Sequence, residues 1–250
     1  MTWFKNWFNT PYYHILYKDR DFAEAENFIS LLVKDLDLKN GSKIIDLACG
    51  KGRHSLFLYK LGFDVLGLDL SEESINHNKI LAEKYGASSK VSFEVHDMRE
   101  PIFGKIITEK VDAVFNLFTS FGYFESLEDD EKVFQSVDGI LKDSGFFVLD
   151  FLNETFVKNN LQEEHTIVKD NITFKISKRI ENQHIIKDIR FTDNGQDFHF
   201  FEKVKLHTEN EIEMISKKFN FERVKLFGDY QLNNFDNQIS PRCITIFKRK

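Results

Sequence analysis

The stretch of sequence that decides the fold is Ile44-Ile45-Asp46-Leu47-Ala48-Cys49-Gly50-Lys51-Gly52-Arg53-His54. An apolar run ends in an acid and then breaks into two closely spaced glycines, the pattern of a buried strand followed by a tight turn. Gly50 and Gly52 allow the backbone to approach a ligand closely. A helix that starts near Ser55 would direct its first N–H groups to the same place. The pattern therefore predicts a nucleotide-cradling turn.

Two further predicted strands also end in an aspartate. Val65 to Asp69 and Val91 to Asp97 follow the glycine turn at the spacing of a parallel sheet. The carboxyl ends of parallel strands meet at one edge of a sheet, where ligands bind in the crevice. We therefore expect Asp46, Asp69 and Asp97 to line one crevice.

Two classes of nucleotide cofactor suit such a crevice. A dinucleotide fingerprint requires G-x-G-x-x-G/A, whereas Ser55 stands at the last position here. Asp69 would bind ribose hydroxyls in either class. Asp46 discriminates between them, because a carboxylate repels a pyrophosphate but attracts the ammonium and sulfonium of S-adenosylmethionine. The residues favour S-adenosylmethionine over a nicotinamide cofactor.

Three motifs carry a resemblance to class I S-adenosylmethionine-dependent methyltransferases. They are Asp46-Leu47-Ala48-Cys49-Gly50-Lys51-Gly52, Gly67-Leu68-Asp69-Leu70-Ser71 and His96-Asp97-Met98-Arg99. The resemblance spans residues 40 to 150, and Ala48 departs from the commonest form by replacing its first glycine. It implies an α/β, Rossmann-like, doubly wound and mostly parallel seven-stranded sheet. It also implies S-adenosyl-L-methionine as cofactor, S-adenosyl-L-homocysteine as product, and no required metal.

The same resemblance implies a set of cofactor-binding residues. Asp69 would hold the ribose hydroxyls, Asp97 the adenine amine, and Met98 would pack on the ring. The full predicted cofactor set is Tyr13, Tyr17, Asp46, Ala48, Gly50, Gly52, His54, Asp69, Leu70, Asp97, Met98 and Asn116.

The segment after predicted strand four is expected to contact the methyl acceptor. Asn116-Leu117-Phe118-Thr119 lacks the two prolines that methyltransferases of amide or adenine nitrogens carry here. The continuation to Tyr123 resembles amino-sugar and glycine-type N-methyltransferases. Tyr123 is the candidate catalytic residue, with aromatic packing as the alternative. The predicted acceptor set is Phe118, Phe121, Tyr123 and Arg242.

Residues 1–20 are predicted to form an N-terminal cap, in which Tyr12-Tyr13-His14-Ile15-Leu16-Tyr17 resembles the segment that folds over the cofactor in that group. Tyr13 and Tyr17 lie four positions apart, so one helical face would present both to the site. A structural role, fastening this segment to the core, is the alternative. Asp21 is expected to cap a helix that runs to about Asp37.

The chain changes from βα units to alternating apolar residues after predicted strand five, which begins at Phe146 behind a turn at Asp143-Ser144-Gly145. Three strands are predicted within residues 163–208, with a hairpin turn at Asn194-Gly195. We expect this antiparallel insertion to act as a lid. The alternative is a binding platform of an RNA or protein methyltransferase, although its acidic and basic residues nearly balance. A helix from Glu209 and two final strands complete the predicted sheet.

Composition sets the remaining expectations. The 250 residues suit one domain, and a net charge of -6 argues against a general nucleic-acid or anionic-membrane binder. Only two cysteines occur, too few for a disulfide framework. The sequence predicts a cytoplasmic monomer or homodimer that acts on a small-molecule substrate, with no membrane or nucleic-acid partner.

Overall fold

Alternating strands and helices build one large sheet and a second, smaller one. The structure, a computed structural model, describes residues 3–18 and 22–250. Its strands are β1 (Lys43–Leu47), β2 (Asp64–Asp69), β3 (Val91–Val95), β4 (Val111–Asn116), β5 (Leu141–Leu152), β6 (Glu164–Lys169), β7 (Ile172–Glu181), β8 (His184–Asp193), β9 (Gln196–Lys205), β10 (Phe221–Phe227) and β11 (Arg242–Arg249). Its helices are α1 (Trp3–Phe8), α2 (Pro11–Leu16), α3 (Phe22–Asp35), α4 (Arg53–Lys60), α5 (Glu72–Lys84), α6 (Leu127–Ile140), α7 (Glu154–Asn159) and α8 (Glu209–Ser216).

The main sheet has the strand order β10-β11-β5-β4-β1-β2-β3. Strands β1 to β5 pair in parallel, whereas β11 is antiparallel to both β5 and β10. Helices cover both faces of this sheet. Ile44 packs with α3, α4 and α5 on one face, and its neighbour Ile45 packs with α6 and α8 on the other. The predicted α/β, doubly wound, mostly parallel seven-stranded sheet with an antiparallel insertion is confirmed.

The insertion forms an antiparallel sheet of four strands in the order β6-β7-β8-β9, which we call the insertion sheet. The prediction of three strands was wrong because β6 is an edge strand whose residues alternate between exposed and half-buried. It therefore lacks the apolar alternation that marks the other three. The N-terminal helices α1 and α2 pack on this sheet, and Trp7, Leu16 and Phe174 belong to the shared core.

The backbones of the insertion sheet and the main domain meet at Gly122, in the segment after β4. The amide N–H of Lys205 donates to the carbonyl of Gly122 at 2.8 Å. Gly122 has φ +80, and a Cβ atom there would stand 2.9 Å from the carbonyl oxygen of Lys205. The close approach of the two backbones requires glycine at this position.

One predicted boundary changes. The turn predicted at residues 143–145 lies within β5, which begins at Leu141 and carries a register shift against β4 where Ser144 has φ 64. Residue types that tolerate a positive φ are also the types that favour turns. This irregular part of the strand therefore has the sequence of a turn. Helix α3 begins at Phe22, and the predicted cap Asp21 lies outside the described residues.

Candidate functional site

A cavity of about 390 Å³ lies at the carboxyl ends of β1, β2 and β3 and is covered by the N-terminal segment. We call it the first cavity. The structure brings most of the predicted site residues to its wall. They are Tyr13, Tyr17, Ala48, Gly50, His54, Asp69, Leu70, Asp97, Met98, Phe118 and Tyr123.

The glycine turn forms the floor of the first cavity with left-handed backbone. Ala48, Gly50 and Gly52 have φ values of 62, 53 and 68. A Cβ atom built on Gly50 would meet nothing within 4 Å, so the backbone there faces open space. The carbonyl of Gly50 accepts from Asn78 Nδ2 at 2.8 Å, which fixes the turn against α5. Gly52 does not line the cavity; it precedes α4, and a Cβ atom there would crowd Asn78 and Phe93 at 3.0 Å.

Asp69 is held at the cavity wall by backbone donors. Its carboxylate accepts from the N–H of Gly50 at 2.8 Å and from the N–H of Ser71 at 2.8 Å. Burial raises the pKa of Asp69, and these backbone hydrogen bonds oppose the shift. Each carboxylate oxygen retains accepting capacity after one bond. Asp69 can therefore accept two further hydrogen bonds from a diol.

Asp97 lines the cavity, but a neighbour that the sequence analysis missed already holds its carboxylate. Arg99 donates to Asp97 from Nη2 at 2.7 Å and from Nε at 3.0 Å, and also contacts Asp129 at 3.2 Å. Burial works against ionisation of Asp97, yet the hydrogen bonds and charge of Arg99 lower its pKa. The i, i+2 spacing of Asp97 and Arg99 was the available sequence signal.

Asp46 lies beneath the turn, away from the cavity wall. It is 1% exposed, and the hydroxyl of Ser55 donates to its carboxylate at 2.6 Å. Burial raises the pKa of Asp46 to about 6, against the effect of the Ser55 hydrogen bond. The expectation that Asp46 lines the crevice with Asp69 and Asp97 is corrected, because Ser55 and the turn separate it from the open space.

Three other predicted residues lie behind the cavity wall. Asn116 is fully buried and donates to the carbonyl of Leu47 at 3.1 Å. Phe121, predicted to touch the acceptor, is fully buried with its ring against Phe134 and Phe151. Arg242 pairs with the fully buried Asp150 at 2.6 Å. None of the three lines the first cavity, and the Oδ1 atom of Asn116 is buried without a hydrogen-bond partner among the described residues.

The loop after β4 has two consecutive left-handed residues, Phe118 (φ 57) and Thr119 (φ 64). Asp150 fixes them: its carboxylate accepts from the N–H of Phe118 at 2.7 Å, and its carbonyl accepts from the N–H of Thr119 at 3.1 Å. The guanidinium of Arg242 bridges Asp150 and the Thr119 hydroxyl at 2.8 Å. Strained backbone persists only where its surroundings determine it, and such residues cluster at functional sites.

Phe118 is the central ring of a stack at the edge of the cavity. Its ring lies 4.9 Å from that of His54 and 4.8 Å from that of Tyr230, nearly parallel to both. The guanidinium of Arg53 lies 4.6 Å from the Phe118 centroid. Tyr230 comes from the long connection between β10 and β11, so no local motif predicted it.

Tyr123 lies where the first cavity meets a second cavity of about 190 Å³. Its hydroxyl donates to the carbonyl of Thr119 at 2.5 Å. Its ring packs against Trp3 at 5.3 Å and Phe8 at 5.6 Å. These contacts hold Tyr123 at the junction of the two cavities.

The second cavity lies between the main domain and the insertion sheet. It shares Phe8, Tyr13, Tyr17, Phe118 and Tyr123 with the first cavity. Its remaining lining comes from α1, the loop after β4, the end of β5 and the insertion sheet, and consists of Trp3, Thr119, Leu152, Lys178, Ile185, Lys187, Glu202 and Val204.

Glu202 joins the N-terminal segment to the insertion sheet. Its Oε1 accepts from Trp7 Nε1 at 2.8 Å and from the Tyr17 hydroxyl at 2.6 Å. Lys187 contacts the carboxylate of Glu202 at 3.7 Å and donates to the Tyr17 hydroxyl. The tyrosines could be predicted from the sequence, whereas Glu202, which lies 185 residues from Tyr17, could not.

Residues 3–18 and 22–250 contain neither a cluster of metal-binding side chains nor a membrane-spanning helix. No group of three or more His, Cys, Asp or Glu side chains in these ranges is arranged to hold a metal ion. Within the same ranges, no helix combines the length and apolar character needed to cross a membrane.

The fold and the turn define a class of protein, and comparison with known proteins assigns the chain to it. The methyltransferase domain family matches residues 38–221, so the chain belongs to that family. A crystal structure of an S-adenosylmethionine-dependent methyltransferase from Clostridium acetobutylicum superposes with a TM-score of 0.79 at 20% identity. That match covers 95% of this chain and 96% of the other. The class I methyltransferase fold is thus confirmed, and S-adenosylmethionine is the cofactor of this class.

Particular relatives differ in how much of their length they share. The putative methyltransferase YqeM of Bacillus subtilis is 35% identical over 46% of this chain, and the chain spans only 44% of that protein. A dTDP-3-amino-3,4,6-trideoxy-alpha-D-glucopyranose N,N-dimethyltransferase of Streptomyces venezuelae is 26% identical over 76% of this chain and 78% of its own length.

Proposed function

We propose that this protein transfers a methyl group from S-adenosylmethionine to a nitrogen or oxygen of a small-molecule acceptor. One observation carries the proposal: two adjoining cavities share the wall formed by Tyr13, Phe118 and Tyr123. A group-transfer enzyme for two ligands needs such a junction, because catalysis by positioning requires the reacting atoms to meet in a fixed geometry.

The residues of the first cavity fit the cofactor. When bound, S-adenosylmethionine supplies an electrophilic methyl group on a sulfonium that leaves as a neutral thioether. The Asp69 carboxylate is fixed by two backbone donors and can accept from a ribose diol. Gly50 presents open backbone, and a volume of about 390 Å³ is of the order of ligand sites in proteins.

The junction residues would orient the acceptor. The Tyr123 hydroxyl, which donates to the Thr119 carbonyl, lies at this junction and would accept there from an N–H or O–H of the acceptor. Such a bond would turn the acceptor lone pair toward the first cavity. The strained Phe118-Thr119 pair, held by Asp150, keeps this part of the wall in place. The amino-sugar N,N-dimethyltransferase among the relatives supports nitrogen as the acceptor atom.

The alternative of an RNA or protein methyltransferase gains no support from the geometry. The second cavity lies beneath the insertion sheet, and the inner strand positions of that sheet pack on the N-terminal segment. A platform for a macromolecule would use the outer face of the insertion sheet, where basic and acidic side chains pair with one another, as Arg179 does with Glu181 and Asp188. We therefore interpret residues 163–208 as a lid and the N-terminal residues as a cap.

The test begins with calorimetry of S-adenosylhomocysteine, which we expect to bind, and proceeds to transfer of a labelled methyl group. One cell extract is divided into metabolites below about 3 kDa, RNA and protein, and each fraction is offered as acceptor. Label is expected in the metabolite fraction, and fragmentation of the product identifies the methylated atom. Label only in RNA or protein would replace this proposal by the alternative.

A further inference from the structure

The insertion sheet carries a row of charged side chains on a face that is otherwise mostly apolar. In the antiparallel register, Lys178 lies opposite Lys187, and Lys187 lies opposite Glu202. Directly opposed residues of antiparallel strands project from the same face of a sheet. The three charged groups therefore form one line across β7, β8 and β9.

This face is the inner one. Along β7, Ile172, Phe174 and Ile176 are buried and the residues between them are exposed. Side chains alternate between faces with a period of two, so Lys178 continues the buried series. All three charged residues line the second cavity. A lysine at a position where the pattern favours an apolar residue has a desolvation cost that needs an explanation.

The charges in the row do not cancel. Lys187 lies 3.7 Å from Glu202, and Glu202 also accepts from Trp7 and Tyr17, so this carboxylate is already engaged. Across residues 3–18 and 22–250, the ammonium of Lys178 has no ion-pair partner within 4.0 Å, and opposed like charges destabilise a sheet. Burial lowers the pKa of His165 on β6, and the charges of Lys178 and Lys187 add to the shift. Among the described residues that line it, the second cavity therefore has two ammonium groups and one carboxylate.

We propose that the second cavity binds an anionic group of the acceptor, a carboxylate or a phosphate, through Lys178 with support from Lys187. This inference rests on the proposed function and specifies its substrate class. The anion would lie between the two opposed ammonium groups and supply a counter-charge to Lys178. The transferable nitrogen or oxygen would lie at the other end of the acceptor, near Tyr123.

The chain contains a built-in probe for the test. Its only two tryptophans are Trp3, which lines the second cavity, and Trp7, which donates to Glu202. Inorganic phosphate and sodium acetate are titrated separately at constant ionic strength while tryptophan fluorescence is recorded. We expect a saturable change with at least one of them, and the one that saturates distinguishes a phosphate from a carboxylate.

The substitution Lys178→Met is expected to lower the affinity for that anion at least about tenfold. Lys175→Met is the matched control, because Lys175 lies on the exposed face of the same strand, and it should bind as the wild type does. Absence of saturation with both anions, or equal binding by wild type and Lys178→Met, would overturn the inference. Thermal melting checks that both variants fold.

Cofactor binding separates this inference from the proposed function. S-adenosylhomocysteine is expected to bind Lys178→Met and wild type equally, because Lys178 lines only the second cavity. Cofactor binding without anion binding would reject the inference alone. Failure of the wild type to bind S-adenosylhomocysteine would reject the proposed function whatever the anion titration shows.

Discussion

The main sheet forms one wall of the first cavity, which we call the first wall. The insertion sheet forms one wall of the second cavity, which we call the second wall. The contacts that fix these two walls differ in their separation along the sequence. Gly50 and Asp69, which fix the first wall, are 19 residues apart, whereas Trp7 and Glu202, which fix the second, are 195 apart. The first wall forms with the parallel sheet itself. The second exists only when the N-terminal segment has docked on the insertion sheet, so we expect the two walls to differ in stability and to be separable by mutation.

Trp7→Ala should have the largest effect and tests this separation. Trp7 is 1% exposed, packs on Phe200 at 4.7 Å, and donates to Glu202. Truncating a buried tryptophan costs about 3–5 kcal/mol. Hydrogen exchange should accelerate in residues 3–18 and 164–205 and stay unchanged in residues 43–69.

The control for this experiment is Val168→Ala, at an exposed position of the insertion sheet, which should leave exchange unaltered. Equal acceleration in residues 43–69 would show that both walls unfold as one unit. It would contradict the expected difference in stability between them.

Asp46→Asn tests a charge buried inside the first wall. The folded-state pKa of Asp46 is about 6, above the ordinary 3.8, so the folded protein binds more protons than the unfolded chain between these pH values. The wild type should therefore lose about 3 kcal/mol of unfolding free energy as the pH rises from about 4 to 6. Asp46→Asn should lack this component in urea titrations.

The exposed Asp37 supplies the control substitution, because its side chain is 85% exposed. Asp37→Asn should keep the wild-type pH dependence. An Asp46→Asn profile with the wild-type slope would mean that water reaches this carboxylate and that the first wall is looser than described.

Asp69→Ala should lower the affinity for S-adenosylhomocysteine at least about tenfold, because it removes an acceptor of two charge-assisted hydrogen bonds. Calorimetry measures the change. Asp64→Ala, at the other end of β2, is the control. The fluorescence response to anions should survive in Asp69→Ala, which together with Lys178→Met would separate the two cavities functionally. Unchanged affinity in a folded Asp69→Ala protein would reject the role assigned to Asp69.

Tyr123→Phe should have the smallest effect. A lost hydrogen bond to the acceptor is worth about 0.5–1.5 kcal/mol, which corresponds to roughly a two- to tenfold fall in kcat. Cofactor affinity should stay constant, and the exposed Tyr85→Phe should behave as the wild type. The measurement uses the acceptor identified from the extract. If the kcat and KM of Tyr123→Phe equal those of the wild type, the role of Tyr123 is packing alone.

The first wall could be predicted from sequence because its signals are local. The glycine turn, Asp69 at the end of β2 and Asp97 after β3 are marked by short motifs, and the resemblance assigns them roles. The position of Asp46 was predicted wrongly, because the motif does not show that the Ser55 hydroxyl donates to this carboxylate. Phe121 was misplaced for a related reason, since an aromatic in a functional loop resembles one in the core.

The second wall was largely hidden from sequence. Alternation predicted β7, β8 and β9 but not the edge strand β6, whose residues are half-exposed. The register that aligns Lys178, Lys187 and Glu202 depends on two turns and cannot be derived from strand patterns alone. Tyr230 and Asp150 likewise meet across 80 residues without a shared motif.

Gly122 has a consequence for reading mutational tolerance in this chain. Any side chain there meets the carbonyl oxygen of Lys205, and the backbone conformation disfavours L residues. A saturation scan would therefore score position 122 among the most intolerant sites, next to Tyr123 and within the loop that borders both cavities. The intolerance would reflect the short distance between two backbones and not a role in binding or catalysis. Cofactor binding therefore has to be measured for variants of this loop before its residues are ranked as functional.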